Sequence, residues 1–214
     1  MTLLTLERRI VASACSAGVG RDAHGERWLW LESAATPDAA GRTVERHPGA
    51  LMSLPEDVSA NEIERILERW PSWRLVRSAE LELGMNVLVI GAGPMADGVA
   101  AVSQRHGALS VERWSDAGED ADLLRARLPQ RPDRVFLLEG HRDRLAPALQ
   151  SCRDRGIVVV ATAGGAPIDL NLYPDAHRRG LHVRVWGENL YRDIPALWLT
   201  ELPRLRSLLR RGLL

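Results

Sequence analysis

The sequence predicts an α/β fold with a doubly wound parallel sheet, preceded by a small β-rich segment. From residue 84 onward, short apolar runs of strand length alternate with segments of helical periodicity. Continuous apolar runs are typical of strands buried on both faces, and their alternation with helices favours parallel βαβ units. Before residue 59, short strand-like segments are instead separated by turns. We therefore expect a β-rich segment over 1–58, an α/β domain over 59–190 and a C-terminal helix over 191–214.

Four strands are predicted in the β-rich segment, each bounded by glycine, proline or polar residues. They lie at 9–12, 28–32, 41–47 and 50–54. Ser59 and Glu62 have the spacing of a capping box, which predicts a helix that begins there. Apolar residues follow at helical intervals as far as Trp70, and Pro71 is expected to end this helix.

The α/β domain alternates regularly. The predicted strands lie at 86–90, 109–112, 133–138, 157–161 and 181–186. The predicted helices lie at 94–106, 121–128 and 143–154, and a last helix at 195–209 is expected to break near Pro203.

Composition excludes several classes of function. The chain has 214 residues, and its 28 basic and 28 acidic residues cancel, which argues against nucleic acid or an anionic membrane as a partner. No residue is lysine, which excludes Schiff-base chemistry and a P-loop lysine. The two cysteines, Cys15 and Cys152, cannot build a four-cysteine zinc site. The start lacks the order of charges of a signal peptide, so we expect a cytoplasmic protein.

A glycine-rich turn at 91–96 carries the most information. It has the pattern G-x-G-x-x-A directly after a predicted strand and at the start of a predicted helix. Gly91 permits the tight turn, Gly93 lets a diphosphate approach the backbone, and Ala96 is small enough for the helix to pack on the strand. With Pro94 and Met95, these residues form the predicted phosphate-binding turn of a Rossmann-type dinucleotide site. Two alternatives remain open, namely a fold that keeps the turn without a ligand and a methyltransferase.

The next strand is predicted to hold the adenosine ribose. A carboxylate about 20 residues past the first glycine binds the ribose hydroxyls in such sites, and Glu112 is the acid near that place. Arg113 beside it could instead contact a 2′-phosphate, so the sequence does not decide between NAD and NADP. Alternatively, both residues form a solvated strand end.

Several segments resemble the medium-chain dehydrogenase/reductase superfamily, which includes alcohol dehydrogenases and quinone oxidoreductases. Residues 83–94 are similar to its "PGDTVLVIGAGP" motif, and residues 155–160 to its "GGRVVVVG" motif. Residues 50–59 are similar to the segment that contains "LPDGVS", and residues 25–30 to the "GDRVWV" strand of the family's GroES-like catalytic domain. The resemblance implies a cofactor domain that follows a truncated GroES-like segment.

The resemblance also implies further site residues. The loop after the 133–138 strand, with Glu139 and His141, would face the cofactor, and these two side chains are weak candidates for proton transfer. Gly164 and Gly165 would pass under the nicotinamide. The family's zinc-ligand segment lies upstream of the "GDRV" strand, where this chain has about 24 residues, so no zinc is expected.

Two functions follow from these residues. The first is a zinc-independent NAD(P)-dependent oxidoreductase that acts on a small carbonyl, alcohol or enone substrate. The alternative is a truncated, non-catalytic subunit or scaffold that works with a partner enzyme. In the family the last strand of the sheet pairs across a two-fold axis, so a homodimer through 181–186 is expected.

Overall fold

A computed structural model describes residues 2–12, 15–32, 43–46, 50–115, 126, 128–138, 144–161, 172–186 and 194–213. The chain divides into two compact units. The first comprises Met1–Trp70 together with Tyr191–Leu214, and the second comprises Pro71–Leu190.

The first unit contains an antiparallel sheet of five strands in the order β4-β1-β2-β3-β5. The strands are β1 (Thr2–Ala12), β2 (Cys15–Arg21), β3 (Arg27–Glu32), β4 (Thr43–Arg46) and β5 (Met52–Ser53). The sequence did not predict β2, and it predicted β1 and β5 with different lengths. The buried side chain of Trp30 explains why β2 is rich in small residues. A Cβ atom at Gly18 would lie 2.2 Å from the indole of Trp30, so only glycine fits beneath this ring.

Both long helices that the structure describes contain an internal proline, contrary to the sequence prediction. Helix α1 (Ala60–Ser78) continues through Pro71, and the last helix, α5 (Ile194–Arg210), continues through Pro203. An internal proline removes one backbone hydrogen bond and costs about 3 kcal/mol. Burial of Trp70 and Trp73 on either side of Pro71 offsets this cost, since each large aromatic side chain leaves water almost completely.

Arg206 ties α5 to the start of α1 within the first unit. Its guanidinium binds the carboxylates of Asp57 and Glu62, each at 2.8 Å. The indole N–H of Trp198 donates to the carbonyl oxygen of Ser53 at 3.1 Å. The C-terminal helix is therefore an integral part of the first unit.

The second unit contains a parallel sheet of five strands in the order β10-β9-β8-β6-β7. The strands are β6 (Asn86–Ile90), β7 (Ser110–Trp114), β8 (Arg134–Leu137), β9 (Ile157–Ala161) and β10 (His182–Trp186). All five lie close to the predicted positions, because uninterrupted apolar runs mark three of them, β6, β8 and β9. The helices are α2 (Pro94–Arg105), α3 (Leu145–Ser151) and the single turn α4 (Leu172–Asp175). The helix predicted at 121–128 lies almost entirely outside the described residues.

Helices α2 and α3 cover opposite faces of this sheet. Leu88, Ile90 and Trp114 belong to an apolar cluster with Leu145 and Leu149 of α3. Neighbouring strand residues point to opposite faces, so Arg113 points away from α3, and its side chain meets α2 instead. This arrangement confirms the predicted α/β class, a Rossmann-like parallel sheet with a small antiparallel sheet. No helix within the described part of the chain is long and apolar enough to span a bilayer.

Candidate functional site

The carboxyl end of β6 lies where the order of the strands reverses. The chain passes from β6 to its neighbour β7 on one side, and β8 then pairs with β6 on the other side. Ligands of open α/β sheets bind at such a reversal, outside the carboxyl ends of the strands. The predicted glycine turn follows β6 at this place.

The backbone of the turn has the conformation that requires glycine. Gly93 is the residue before α2 and has φ of 84°, a value that favours glycine over any residue with a side chain. A Cβ atom built at Gly93 would meet nothing within 4 Å, so the surface above it is open. Ala92, Gly93 and Pro94 are all exposed, so a ligand can reach the turn from solvent.

The first turn of α2 presents backbone N–H groups at the same place. Pro94 occupies the first helical position, and Gly93 supplies no side-chain cap. The amides of a first helical turn have no acceptor within the helix, and the positive end of the helix favours an anion. The N–H groups of Met95 and Ala96 are thus suited to phosphate oxygens. Ala96 is fully buried, as the packing role of the third motif position requires.

Helix α1 fixes the position of this first turn. The hydroxyl of Ser72 in α1 donates to Sδ of Met95 at 3.7 Å. A Cβ atom at Gly98, one turn further along α2, would lie only 2.2 Å from Oγ of Ser72. The close approach of the two helices therefore depends on glycine at this position, a requirement that the sequence analysis missed.

The end of β7 differs from a strand that binds ribose through a terminal acid. Trp114 is its last residue and pairs with Ile90, while Glu112 lies two residues earlier. At 3.3 Å per residue, Glu112 begins about 6.6 Å before the end of the strand. Arg113 binds Asp97 of α2, with 2.6 Å between Nη1 and Oδ1. Asp97 was not among the predicted site residues, although an acid in the first turn of a helix is a detectable signal.

Trp114 and Arg144 form a stacked pair beside the turn. Arg144 directly precedes α3, and its guanidinium carbon lies 5.3 Å from the centre of the Trp114 ring. Trp114 is 3% exposed and Arg144 is 5% exposed. The pair is therefore part of the packed interior at the carboxyl end of β7.

Cys152 follows α3 and carries no reactive thiol. The side chain is fully buried, and Sγ lies 4.0 Å from the carbonyl oxygens of Asp133 and Ile157. Burial raises the pKa of this thiol to about 12. A thiol that stays protonated at neutral pH is a poor nucleophile and a poor metal ligand.

The remaining predicted residues lie outside the described part of the chain. These are Glu139 and His141 after β8, and Gly164 and Gly165 after β9. Among the residues that the structure describes, no group of three or more His, Cys, Asp or Glu side chains is placed to hold a metal ion.

Comparison with known proteins identifies the fold. No protein-family model and no curated protein matches the sequence. Alcohol dehydrogenase TADH from Thermus sp. ATN1 is similar with a TM-score of 0.69 at 16% identity, over 100% of this chain and 82% of that chain. A short chain alcohol dehydrogenase (rspB) from E. coli CFT073, complexed with the cofactor NADH, is similar with a TM-score of 0.69 at 12% identity, over 100% of this chain and 81% of that chain. For 2R,3R-butanediol dehydrogenase from Bacillus subtilis the TM-score is 0.61 at 20% identity, over 95% of this chain and 70% of that chain.

These likenesses show the fold alone, and it is the fold that the resemblance implied. The chain thus has the architecture of alcohol dehydrogenases and related reductases. At identities between 12% and 20%, fold alone does not assign an activity, so the function must be argued from the site.

Proposed function

We propose that the chain is an NAD(P)-dependent oxidoreductase that works without zinc on a small carbonyl, alcohol or enone substrate. The observation that carries the proposal is the open turn at Gly93, followed by the first turn of α2. In this site the amides of Met95 and Ala96 hold the diphosphate, since they are backed by the positive end of the helix. The fold, which is that of alcohol dehydrogenases, supports the same reaction class.

The residues present fit one part of such a cofactor better than another. The turn fits the diphosphate because, among the described residues, no atom lies within 4 Å of a Cβ atom built at Gly93. The ribose end has no carboxylate at the last position of β7, where Trp114 stands. Arg113 leaves NAD and NADP both possible, because a guanidinium suits a 2′-phosphate but Asp97 already neutralises it.

The bound nicotinamide would supply hydride transfer, which no amino-acid side chain provides. The chain itself would bind and orient the cofactor. Gly93 admits the diphosphate, and Ser72 and Gly98 hold the first turn of α2 in place. Glu139 and His141 remain candidates for proton transfer to or from the substrate oxygen.

Binding of the cofactor tests the proposal directly. In isothermal titration we expect NADH or NADPH to bind the purified chain, and Gly93→Val to weaken binding at least tenfold. Gly84→Val is the matched control, because Gly84 also has φ near +80° with open space around it and lies in a loop before β6. Absence of binding by either cofactor at millimolar concentration would overturn the proposal. If the enzyme works without zinc, we expect less than one zinc atom per ten chains. A chelator should then leave the activity unchanged.

The second candidate is a non-catalytic subunit that works with a partner enzyme. The Trp114–Arg144 pair favours it, because two buried side chains stand at the end of β7, where a dinucleotide site has a carboxylate that binds the ribose. Turnover separates the two functions. Oxidation of NAD(P)H with an aldehyde, ketone or enone panel by the chain alone, abolished by Gly93→Val, would exclude the second candidate.

A further inference from the structure

The end of β7 and the glycine turn lie at the same level of the sheet. The N–H of Gly91 donates to the carbonyl oxygen of Trp114 at 3.0 Å, and Ile90 pairs with Trp114 in the sheet. Trp114 is therefore the residue beside which a dinucleotide on the turn would place its adenosine, since the adenosine ribose is held at the end of the second strand.

The indole of Trp114 extends over the α3 face of the sheet. It belongs to the same apolar cluster as Leu88 and Ile90 of β6 and as Leu145 and Leu149 of α3. It therefore lies on the α3 side of the sheet, and its contact with Arg144 joins the end of β7 to the N-terminus of α3. A small residue or a carboxylate at this position would leave that space free.

Arg144 closes the same space from the other side. It lies at the N-terminus of α3, and its guanidinium stacks on the indole at 5.3 Å from the ring centre. Because both side chains are at least 95% buried, neither presents a free face on which a purine ring could stack. A ligand that carries adenosine would have to displace a buried guanidinium from an aromatic ring.

We infer that Trp114 and Arg144 fill the adenosine end of the cleft, so that the site binds a pyridine nucleotide through its diphosphate and gains no affinity from its adenosine. This inference rests on the proposed function, because it assigns a specificity to the same site. The affinity for the ligand then comes from the contacts of its diphosphate with Gly93 and with the first turn of α2. Trp114 and Arg144 are specificity-determining residues that make the adenine base irrelevant to binding.

Two ligands that share a diphosphate test the inference by isothermal titration. Inorganic pyrophosphate carries the diphosphate alone, and ADP-ribose adds the adenosine. With the unaltered chain we expect dissociation constants that differ by less than about threefold. Trp114→Val should tighten ADP-ribose by about tenfold or more and leave pyrophosphate unchanged, because the space beside the turn is then open.

The sheet offers a closely matched control. Trp186 ends β10 and carries a stacked Arg74, whose guanidinium carbon lies 5.0 Å from its ring centre. Trp186→Val therefore removes the same kind of pair at the opposite end of the described strand order from β7. It should not change the affinity for ADP-ribose. Arg144→Ala is a second test of the same space if Trp114→Val folds poorly, and it should also tighten ADP-ribose.

The outcomes separate the inference from the proposed function. If the unaltered chain binds ADP-ribose more than tenfold tighter than pyrophosphate and neither substitution tightens it further, the inference is overturned and the proposed function is supported. If neither ligand binds the unaltered chain or any of the folded variants, the inference is overturned, and the proposed function falls with it only when NADH and NADPH also fail to bind. Tightening of ADP-ribose by Trp114→Val or Arg144→Ala alone, and not by Trp186→Val, supports the inference.

Discussion

Arg113 of β7 and Asp97 of α2 form an ion pair with 2.6 Å between Nη1 and Oδ1, directly beside the glycine turn. The pair joins the end of the second strand to the first turn of the phosphate-binding helix. Both side chains are well exposed, so the pair contributes little stability, at most about 1 kcal/mol. Asp97 also places a negative charge beside the turn, and this charge would repel an approaching phosphate.

Removal of that charge should favour the cofactor with the additional phosphate. In a Trp114→Val background, where the adenosine end is open, Asp97→Asn frees Arg113, so we expect NADPH to bind about threefold tighter or more relative to NADH. Isothermal titration of both cofactors measures the ratio, and Glu82→Gln, an exposed acid elsewhere in the second unit, is the control. An unchanged ratio would show that Arg113 does not contact a 2′-phosphate.

For Gly98→Ala, helix propensity and packing predict opposite changes in the free energy of unfolding. Helix propensity alone would make Gly98→Ala stabilising by about 1 kcal/mol. The new Cβ would lie 2.2 Å from Oγ of buried Ser72, so we expect a loss of about 1–3 kcal/mol instead. Urea unfolding measures the free energy of unfolding. The double variant with Ser72→Ala should recover part of the loss, and a stabilised single variant would show that α1 and α2 do not approach so closely.

Cys152 should make stability depend on pH at high pH. Burial raises the pKa of its thiol from 9.0 to about 12, so the folded state holds the proton where the unfolded state has lost it. The stability that this thiol contributes is complete below pH 9 and is lost as the pH rises towards 12. In a Cys15→Ser background, Cys152→Ala should therefore flatten the decline in the melting temperature over this range. Parallel curves for the two chains would contradict the burial of the thiol.

The exposed side chain of Val185 leads to a prediction about assembly. Val185 lies on β10, which is an edge strand among the described strands, and it is 71% exposed. An apolar edge strand favours pairing with another strand, so we expect a homodimer through β10. Light scattering should give twice the chain mass of 23.7 kDa, and Val185→Lys should shift it towards one chain. A monomeric mass for the unaltered chain at micromolar concentration would refute this expectation.

The sequence was sufficient to predict the parallel sheet and the glycine turn because their signals are local. Residues 87–90 form an apolar run that fills all but the first position of β6, and the two glycines and Pro94 mark the turn and the start of α2. The continued helices at Pro71 and Pro203 could not be predicted in this way. Burial of the side chains that flank each proline decided them, and how deeply a helix face is buried is not visible in the sequence.

The same distinction applies to the candidate site. The conformation of Gly93 follows from its own motif, whereas the contacts of Trp114 depend on Arg144, which is 30 residues away in the chain. Likewise, the requirement for glycine at position 98 is visible only in the structure, where Ser72 of α1 packs against it. The phosphate-binding half of the site is local in sequence, and the half that decides ligand specificity is built from long-range packing.

Amide NMR can show whether the amides of the glycine turn at 91–96 hold a diphosphate. In a ¹⁵N-labelled chain titrated with NADH, we predict that the largest shifts fall on the amides of Gly93, Met95 and Ala96. The same three amides should shift with inorganic pyrophosphate. Saturable binding that leaves these amides unmoved, with shifts clustered elsewhere in the chain, would contradict the account.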